Sequence, residues 1–318
     1  MNLLVTSISR KVPMIESLRR ALGRVAPGAL LWGGDSDPRA VARPFVDAFW
    51  EMPQLADLGL DDLLHFCVRN DVGWIVPSRD GELEPFAHWS EELASRGVRM
   101  MISSPSTVQA CVDKLKFFER LQKMPEVVPT LAEPDRPGVS RWVVKERFGA
   151  GSRRIVLDVS AEVARHEGRH LSSPVFQPFV EGIEYSIDLY RCRAGDVWGC
   201  VVRSRDRVVD GESQVTTVAR SPALDDVCLR AAEQLEITGH AVFQAIEDGR
   251  GRLHLFECNC RFGGASTLSV AAGLESFEWF LRETTEAGFR PREFVRGTPG
   301  LCLVRYPADR IMEPGPEI

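Results

Sequence analysis

Residues 256–264 read FECNCRFGG, with Glu257, Asn259 and Arg261 at every second position and Phe256, Cys258, Cys260 and Phe262 between them. In a strand, side chains at i, i+2 and i+4 share a face. One face would then carry an acid, an amide and a guanidinium, and the other would be core. A carboxylate and a carbonyl on one rigid edge can hold Mg²⁺, and a guanidinium beside them can hold the phosphates that arrive with it. Alone, this pattern is better read as a half-buried strand with a wet face, so the rest of the chain decides.

The chain has 318 residues, room for two or three lobes and a substantial core. Hydrophobic residues make up 44% and charged residues 26%, as in ordinary globular proteins. A net charge of −6 argues against general binding to nucleic acid or to an anionic membrane. No apolar run is long enough to span a bilayer, and the opening MNLLVTSISRK turns polar too soon for a signal peptide. The eight cysteines lack zinc-ribbon spacing. They read as buried free thiols, which together with the missing leader predicts a cytoplasmic protein. His166 and His170 read as a surface pair.

Residues 3–6, 29–34, 74–83 and 98–104 hold apolar runs, and helix-like stretches lie between them at 14–22, 63–69 and 91–96. Strands alternating with helices predict a parallel sheet with covered faces, whose ligands bind beyond the carboxyl ends of the strands. Ser7, Arg10, Arg79 and Asp80 fall on those loops. No G-x-G-x-x-G follows the first strand, so a dinucleotide site and an oxidoreductase are disfavoured. A helix over 113–123 begins at a good Asp N-cap, and four prolines then mark a loop. Next come RWVVKE (141–146), a glycine-rich turn (147–153) and RIVLDV (154–159), together a β-hairpin. Strands follow at 175–182, 184–191, 197–203, 240–247 and 253–260, with helices at 223–235 and 276–286. The basic stretch RSRDRVVDGESQ (203–214) reads as a loop. Residues 300–306 form one last strand-like run before a Pro-rich end, which leaves no room there for a carrier domain.

Three further features bear on chemistry. Lys145 ends a strand directly before the glycine-rich tip, where backbone N–H groups can approach phosphate. QPFVEGIE (177–184) reads as a hinge between lobes, whose backbone suits an adenine edge. Gln177 can add a side-chain bond there, and Glu184 can accept from ribose hydroxyls. If strands 240–247 and 253–260 pair, Gln244 stands beside Glu257 and Asn259, giving three oxygen donors for Mg²⁺ shared with phosphates.

This order of motifs resembles the ATP-grasp superfamily, and within it the branch similar to the large subunit of carbamoyl phosphate synthetase. VTSISRKV and VPSRDGEL resemble that branch's pre-ATP-grasp domain. The resemblance implies a mixed α/β and α+β protein. A Rossmann-like pre-ATP-grasp domain over 1–104 would be followed by a lid subdomain over 105–182 and a large subdomain over 183–318. It implies ATP as cofactor with two Mg²⁺ ions, Mn²⁺ being able to substitute. Lys114 would contact ATP phosphate, Lys145 would bridge the α- and β-phosphates, and Gly149, Gly151 and Ser152 would cover the triphosphate. Gln177 would meet the adenine amino group, with Phe179 and Val180 completing the hinge contact and Glu184 binding ribose. Glu257 and Asn259 would hold Mg²⁺, with Gln244 where many relatives place an acid. Arg261 would steady the transferring phosphoryl group, making it and Lys145 the catalytic pair.

Relatives phosphorylate a carboxylate and let an amine displace the phosphate, so the resemblance implies a carboxylate–amine ligase. A small-molecule kinase and a nucleotide-binding module without turnover are its rivals. Small carboxylates and amines are the expected partners, with no nucleic acid and no membrane. Relatives are often dimers, which suggests a homodimer. Arg203, Arg205 and Arg207 of the basic stretch, with Arg10 and Arg79, are candidates to grip a substrate.

Overall fold

The computed structural model describes residues 1–149 and 154–311. The chain opens with alternating elements: β1 (Asn2–Thr6), α1 (Val12–Val25), β2 (Leu31–Asp35), β3 (Ala48–Glu51), α2 (Leu60–Arg69), β4 (Val72–Val76), α3 (Asp80–Ser95) and β5 (Arg99–Met100). The five strands are parallel, in the order β3-β2-β1-β4-β5. Both faces are covered, as a parallel sheet requires. Leu3 and Val5 of β1 pack with Ile15, Leu18 and Leu22 of α1. Leu4 faces the other way, into a cluster with Leu63 of α2 and Leu83 and Phe86 of α3. Strand β3 was not expected, because AFWE is too short to show an alternation. Nor was a helix beginning at Asp80, although its signal was present. Glu82, at the third helical position, accepts the N–H groups of Ser78 and Arg79 and so caps the turn before it.

Next come α4 (Pro105–Val112) and α5 (Lys114–Leu121), the latter capped by Asp113, which accepts from the N–H groups of Leu115 and Lys116. Strands β6 (Trp142–Glu146), β7 (Val156–Val159) and, after α6 (Ala161–Gly168), β8 (Pro174–Pro178) form a small antiparallel sheet in the order β7-β6-β8. Its own core is Trp142, Val144, Ala164 and Phe176.

The remainder is β9 (Gly182–Arg191), β10 (Val197–Val209), β11 (Glu212–Ala219), α7 (Pro222–Gln234), β12 (Gly239–Asp248), β13 (Leu253–Asn259), α8 (Thr267–Ala271), α9 (Ser276–Thr285) and β14 (Cys302–Val304). The sheet runs β13-β12-β9-β10-β11-β14 with antiparallel neighbours. Ile187, Leu189, Val202, Phe243 and Ala245 share a core with Leu224, Val227, Cys228 and Ala231 of α7. The opposite face carries a polar strip beside the apolar Tyr190, Val201 and Val218. The stretch 203–214, expected as a loop, is a hairpin. Val209 pairs with Glu212 around Asp210–Gly211, whose φ values of 50° and 77° are those of a type I′ turn. Asp-Gly is a strong signal for that turn, and it prevails over the surrounding charges that favour a loop. Among the described residues, no helix is long and apolar enough to cross a membrane.

Candidate active site

The polar face of the six-stranded sheet can be read from its pairings, since directly opposed residues share a face. On β9 it carries Glu184, Ser186 and Asp188. Ser186 opposes Gln244 of β12 on one side and Arg203 of β10 on the other. Gln244 in turn opposes Glu257 of β13, and Val242 opposes Asn259. The expected hairpin therefore forms, and Gln244, Glu257 and Asn259 stand together. Asn259 Nδ2 lies 3.4 Å from Glu257 Oε1, so the two side chains converge.

The register slips by one residue after Gln244, pairing Ala245 with Leu255 and leaving Phe256 in a β-bulge. Cys258, Cys260 and Phe262 are buried as expected, but Phe256 is only half-buried. The bulge turns its ring toward Lys145, whose Nζ lies 5.2 Å from the ring centroid. Bulges commonly re-aim side chains next to sites.

Lys145 descends from β6 of the small sheet and is only 5% exposed. Burial pushes its amine down to about 8; Glu257 and Glu184 oppose this, and Lys114 adds to it. Lys114, equally buried, donates from Nζ to Gly149 O at 3.0 Å and reaches Arg147 O at 3.4 Å. Its neighbour Asp113 takes the Arg147 guanidinium through two bonds of 2.7 and 2.6 Å. The Asp113–Lys114 pair thus fastens the first arm of the glycine-rich hairpin. Gly151 and Ser152 lie outside the described residues.

Gln177 is buried opposite Val143, and its Nε2 donates to Thr130 Oγ1 at 2.8 Å. That leaves the carbonyl as its atom for an adenine amino group. Phe179 N–H is already given to Arg141 O at 2.9 Å, so the carbonyl is what its backbone has for a ligand. Val180 and Pro178 border a cleft of about 390 Å³ with Val127, Val128, Phe118 and His254. Glu184 Oε1 lies 3.0 Å from Arg205 Nε. Burial raises the Glu184 carboxyl above its ordinary range, Arg205 and Lys145 pulling it down and Glu257 pushing it up.

The arginines expected to grip a substrate divide. Arg207, Arg10 and Arg79 are exposed, and Arg205 is tied to Glu184. Arg203 is 2% exposed, its Nε donating to Asp188 Oδ2 at 2.6 Å and to Ser269 at 3.1 Å. Arg203 lies toward the covered middle of β10, against Asp188 and Ser269, whereas Arg207 lies on the same strand near the hairpin's exposed end. Asp188 also takes Ser269 Oγ at 2.8 Å, the Ser266 hydroxyl, and His240 Nε2 at 3.1 Å, while His240 Nδ1 contacts Ser276. This network was not read from the sequence, because its members lie on five separate elements.

Arg261 pairs with Asp80 at the start of α3. Beside them, Lys11 Nζ donates to Ser7 O at 2.6 Å, and Ser7 Oγ donates to the fully buried Glu82 at 2.7 Å. Neither Lys11 nor Glu82 was singled out from the sequence. Seven cysteines are buried and free, and Cys302 is exposed. His166 is exposed, as expected of a surface pair.

Family comparisons bear on the fold. A family model described as "PylC-like, N-terminal domain" matches residues 3–101. A second, described as "ATP-grasp in the biosynthetic pathway with Ter operon", matches residues 171–302, and together the two span most of the chain. The chain belongs to the ATP-grasp superfamily. No curated protein matches it in sequence. Among solved structures, this ATP-grasp chain is similar to the biotin carboxylase domain of Hydrogenobacter thermophilus 2-oxoglutarate carboxylase, solved with MgADP and bicarbonate. The TM-score is 0.73 at 15% identity over 92% of this chain and 70% of that one. It is also similar to Bacillus licheniformis L-amino acid ligase, with TM-score 0.69 at 17% identity over 89% and 74% of the two chains. Staphylococcus aureus N5-carboxyaminoimidazole synthetase with ADP gives TM-score 0.70 at 14% identity over 94% and 80%. At such identities these likenesses speak to the fold: an ATP-grasp domain preceded by a PylC-like domain.

Proposed function

We propose that the protein is an ATP- and Mg²⁺-dependent carboxylate–amine ligase that works through an acyl phosphate and releases ADP and phosphate. One observation carries the reading. Glu184, Gln244, Glu257 and Asn259 share one sheet face, and the buried Lys145 of the lid reaches the ring of Phe256 beside Glu257. The L-amino acid ligase and N5-carboxyaminoimidazole synthetase among its neighbours support a ligase over other uses of ATP. The neighbour solved with MgADP supports the cofactor assignment.

The donor set fits Mg²⁺. One carboxylate beside amide oxygens is a typical protein share for an ion that keeps phosphate oxygens and waters as its other ligands. Glu257, Asn259 and Gln244 would hold it, and the bound ion would neutralise phosphate charge. Lys114 and Lys145 bring two buried ammonium groups to the triphosphate, where the low dielectric strengthens them. The Gln177 carbonyl accepts from the adenine amino group, and Glu184, held by Arg205, accepts from ribose. Arg261 steadies the phosphoryl group as it moves to the substrate carboxylate. The lid keeps water from the acyl phosphate until the amine displaces phosphate. Arg207, Arg10 and Arg79 remain the candidates for the substrate's own charges. The three sheets support boundaries near residues 104 and 182. A homodimer is the assembly proposed, by likeness to the dimeric biotin carboxylase domain.

The test is ³¹P NMR of the protein with Mg-ATP and pooled amino acids and small carboxylic acids, with Glu257→Gln in parallel. Pool-dependent ADP and free phosphate, absent in the variant, support the ligase. A phosphorylated small molecule in place of free phosphate would make it a kinase. Bound but intact ATP with every pool would make it a binding module.

A further inference from the structure

Arg261 follows directly on the strand that carries Glu257 and Asn259, yet its partner belongs to the first sheet. Asp80, 181 residues away, accepts Nε at 2.6 Å and Nη2 at 2.5 Å. The side chains are 17% and 27% exposed. Partly buried and bidentate, the pair can help hold the lobes together, and its geometry offers a second role. What a two-bond fork does well is fix the plane of a guanidinium. Nη1 donates to Phe262 O at 3.1 Å, which holds a second side of the group. A guanidinium gripped in this way still has one N–H on each of Nη1 and Nη2 for another oxyanion.

Asp80 is itself firmly placed. Strand order in the first sheet reverses between β1 and β4, and the crevice beyond their carboxyl ends is where such sheets take ligands. Asp80 stands on the β4 side of that crevice, and Ser7 and Lys11 stand on the β1 side. Glu82 ties the two sides together, accepting Ser7 Oγ from one and the Ser78 and Arg79 N–H groups, at 2.5 and 3.0 Å, from the other. Ser78 Oγ adds a bond to Thr6 O at 2.6 Å. Ser7 and Ser9 hold φ values of 52° and 42°, a conformation that persists only where its surroundings enforce it.

We propose that Asp80 is the positioning residue for Arg261. The first lobe supplies, at its switch-point crevice, the carboxylate that aims the guanidinium at the transferring phosphoryl group, so turnover requires both lobes docked. This rests on the ligase reading above. The experiment measures ADP release with Mg-ATP and the active pool for wild type, Asp80→Asn, Asp80→Glu, Arg261→Lys and the Asp80→Asn/Arg261→Lys double variant. Asp80→Asn should lower kcat by about tenfold or more while KM for ATP stays within about twofold, the mark of an interaction made in the transition state. Asp80→Glu should recover part of the loss, and the double variant should match Arg261→Lys alone. Wild-type kcat in Asp80→Asn, or a double variant that multiplies the two losses, overturns the proposal. The Arg261 Nε–H signal in ¹⁵N spectra, identified by its loss in Arg261→Lys, is read on the same samples. It should be sharp in wild type and Asp80→Glu and broadened away in Asp80→Asn; an unchanged signal in Asp80→Asn also overturns the proposal. If wild type turns over no pool, the ligase reading fails, and this signal still decides the pair.

Discussion

Replacing Lys145 by Met should make the nucleotide-free protein more stable and abolish its hold on ATP. The Lys145 amine falls from 10.5 to about 8, first because burial strips its water and then because Lys114 repels it, with Glu257 and Glu184 only partly offsetting both. At about 1.4 kcal/mol per pKa unit, keeping that charge in the folded state costs about 3 kcal/mol. Met has similar length, carries no charge and suits the ring of Phe256 beside it. The sign follows from proton binding. Between pH 8 and 10.5 the unfolded chain binds the proton and the folded chain does not, so wild-type stability rises across that window. The advantage of Lys145→Met should therefore be largest at pH 7 and shrink toward pH 10. Urea unfolding of both proteins at the two pH values measures it. Nucleotide phosphates should restore the amine's proton. Calorimetric titration in buffers of different ionisation enthalpy should then show uptake of roughly 0.9 proton near pH 9 and roughly 0.1 near pH 7 for a group at about 8. A Lys145→Met protein less stable than wild type at pH 7, or binding without proton uptake at pH 9, would refute the reasoning.

Asp188→Asn should cost about 3–5 kcal/mol of stability, since it strands the Arg203 guanidinium in the interior; a urea midpoint shift worth less than about 1 kcal/mol would contradict this. The Asp188 carboxyl is raised by burial, but Arg203 and then His240 outweigh that and hold it well below the usual carboxylate range. Its contribution is therefore present above pH 3.8 and fades as acid protonates it, so wild type and Asp188→Asn should converge in acid unfolding curves. Gly182→Ala should destabilise the β9–β12 pairing, because a Cβ there would lie 2.1 Å from the backbone oxygen of Glu247. Hydrogen exchange confined to those strands is the readout, and unchanged protection there would count against the close approach. Arg205→Met should weaken Mg-ATP binding with little change in thermal stability, because its charge supports the half-exposed Glu184; equal losses of both would make Arg205 a folding residue.

Most of the architecture was legible because its signals are local. Residues 3–5 and 74–76 carry uninterrupted apolar runs, and 184–189 alternates cleanly, so neighbouring residues alone specify the strand. The site was legible where it follows the same period: Glu257, Asn259 and Gln244 are placed by strand alternation and a single hairpin. What escaped depends on partners distant in sequence. The Phe256 bulge exists only as a slip between β12 and β13, and nothing within 256–262 announces it. Arg261 meets Asp80 across two sheets, so neither residue's neighbourhood names the other. Arg203 was misplaced for a different reason: charge density suggested solvent, although the Asp210–Gly211 pair marked a hairpin that carries those arginines back across the sheet.

Glu184, Ser186 and Asp188 show why alternation alone could not finish the assignment. They sit at equal spacing on one face of β9, and each is matched by a polar residue on a neighbouring strand. Period assigns them one face and therefore one presumed use. Depth separates them: the Glu184 side chain is 35% exposed and the Asp188 side chain is fully buried. At the open end a carboxylate beside Arg205 can exchange water for ribose hydroxyls at small cost. At the closed end the same group is held by a guanidinium, an imidazole and two hydroxyls, with no way in for a ligand. Ser266, one of those hydroxyls, also accepts the N–H of Gly263, two residues after Arg261. The buried half of the strip thus anchors the loop that follows Arg261, and the exposed half is the part proposed to meet the nucleotide.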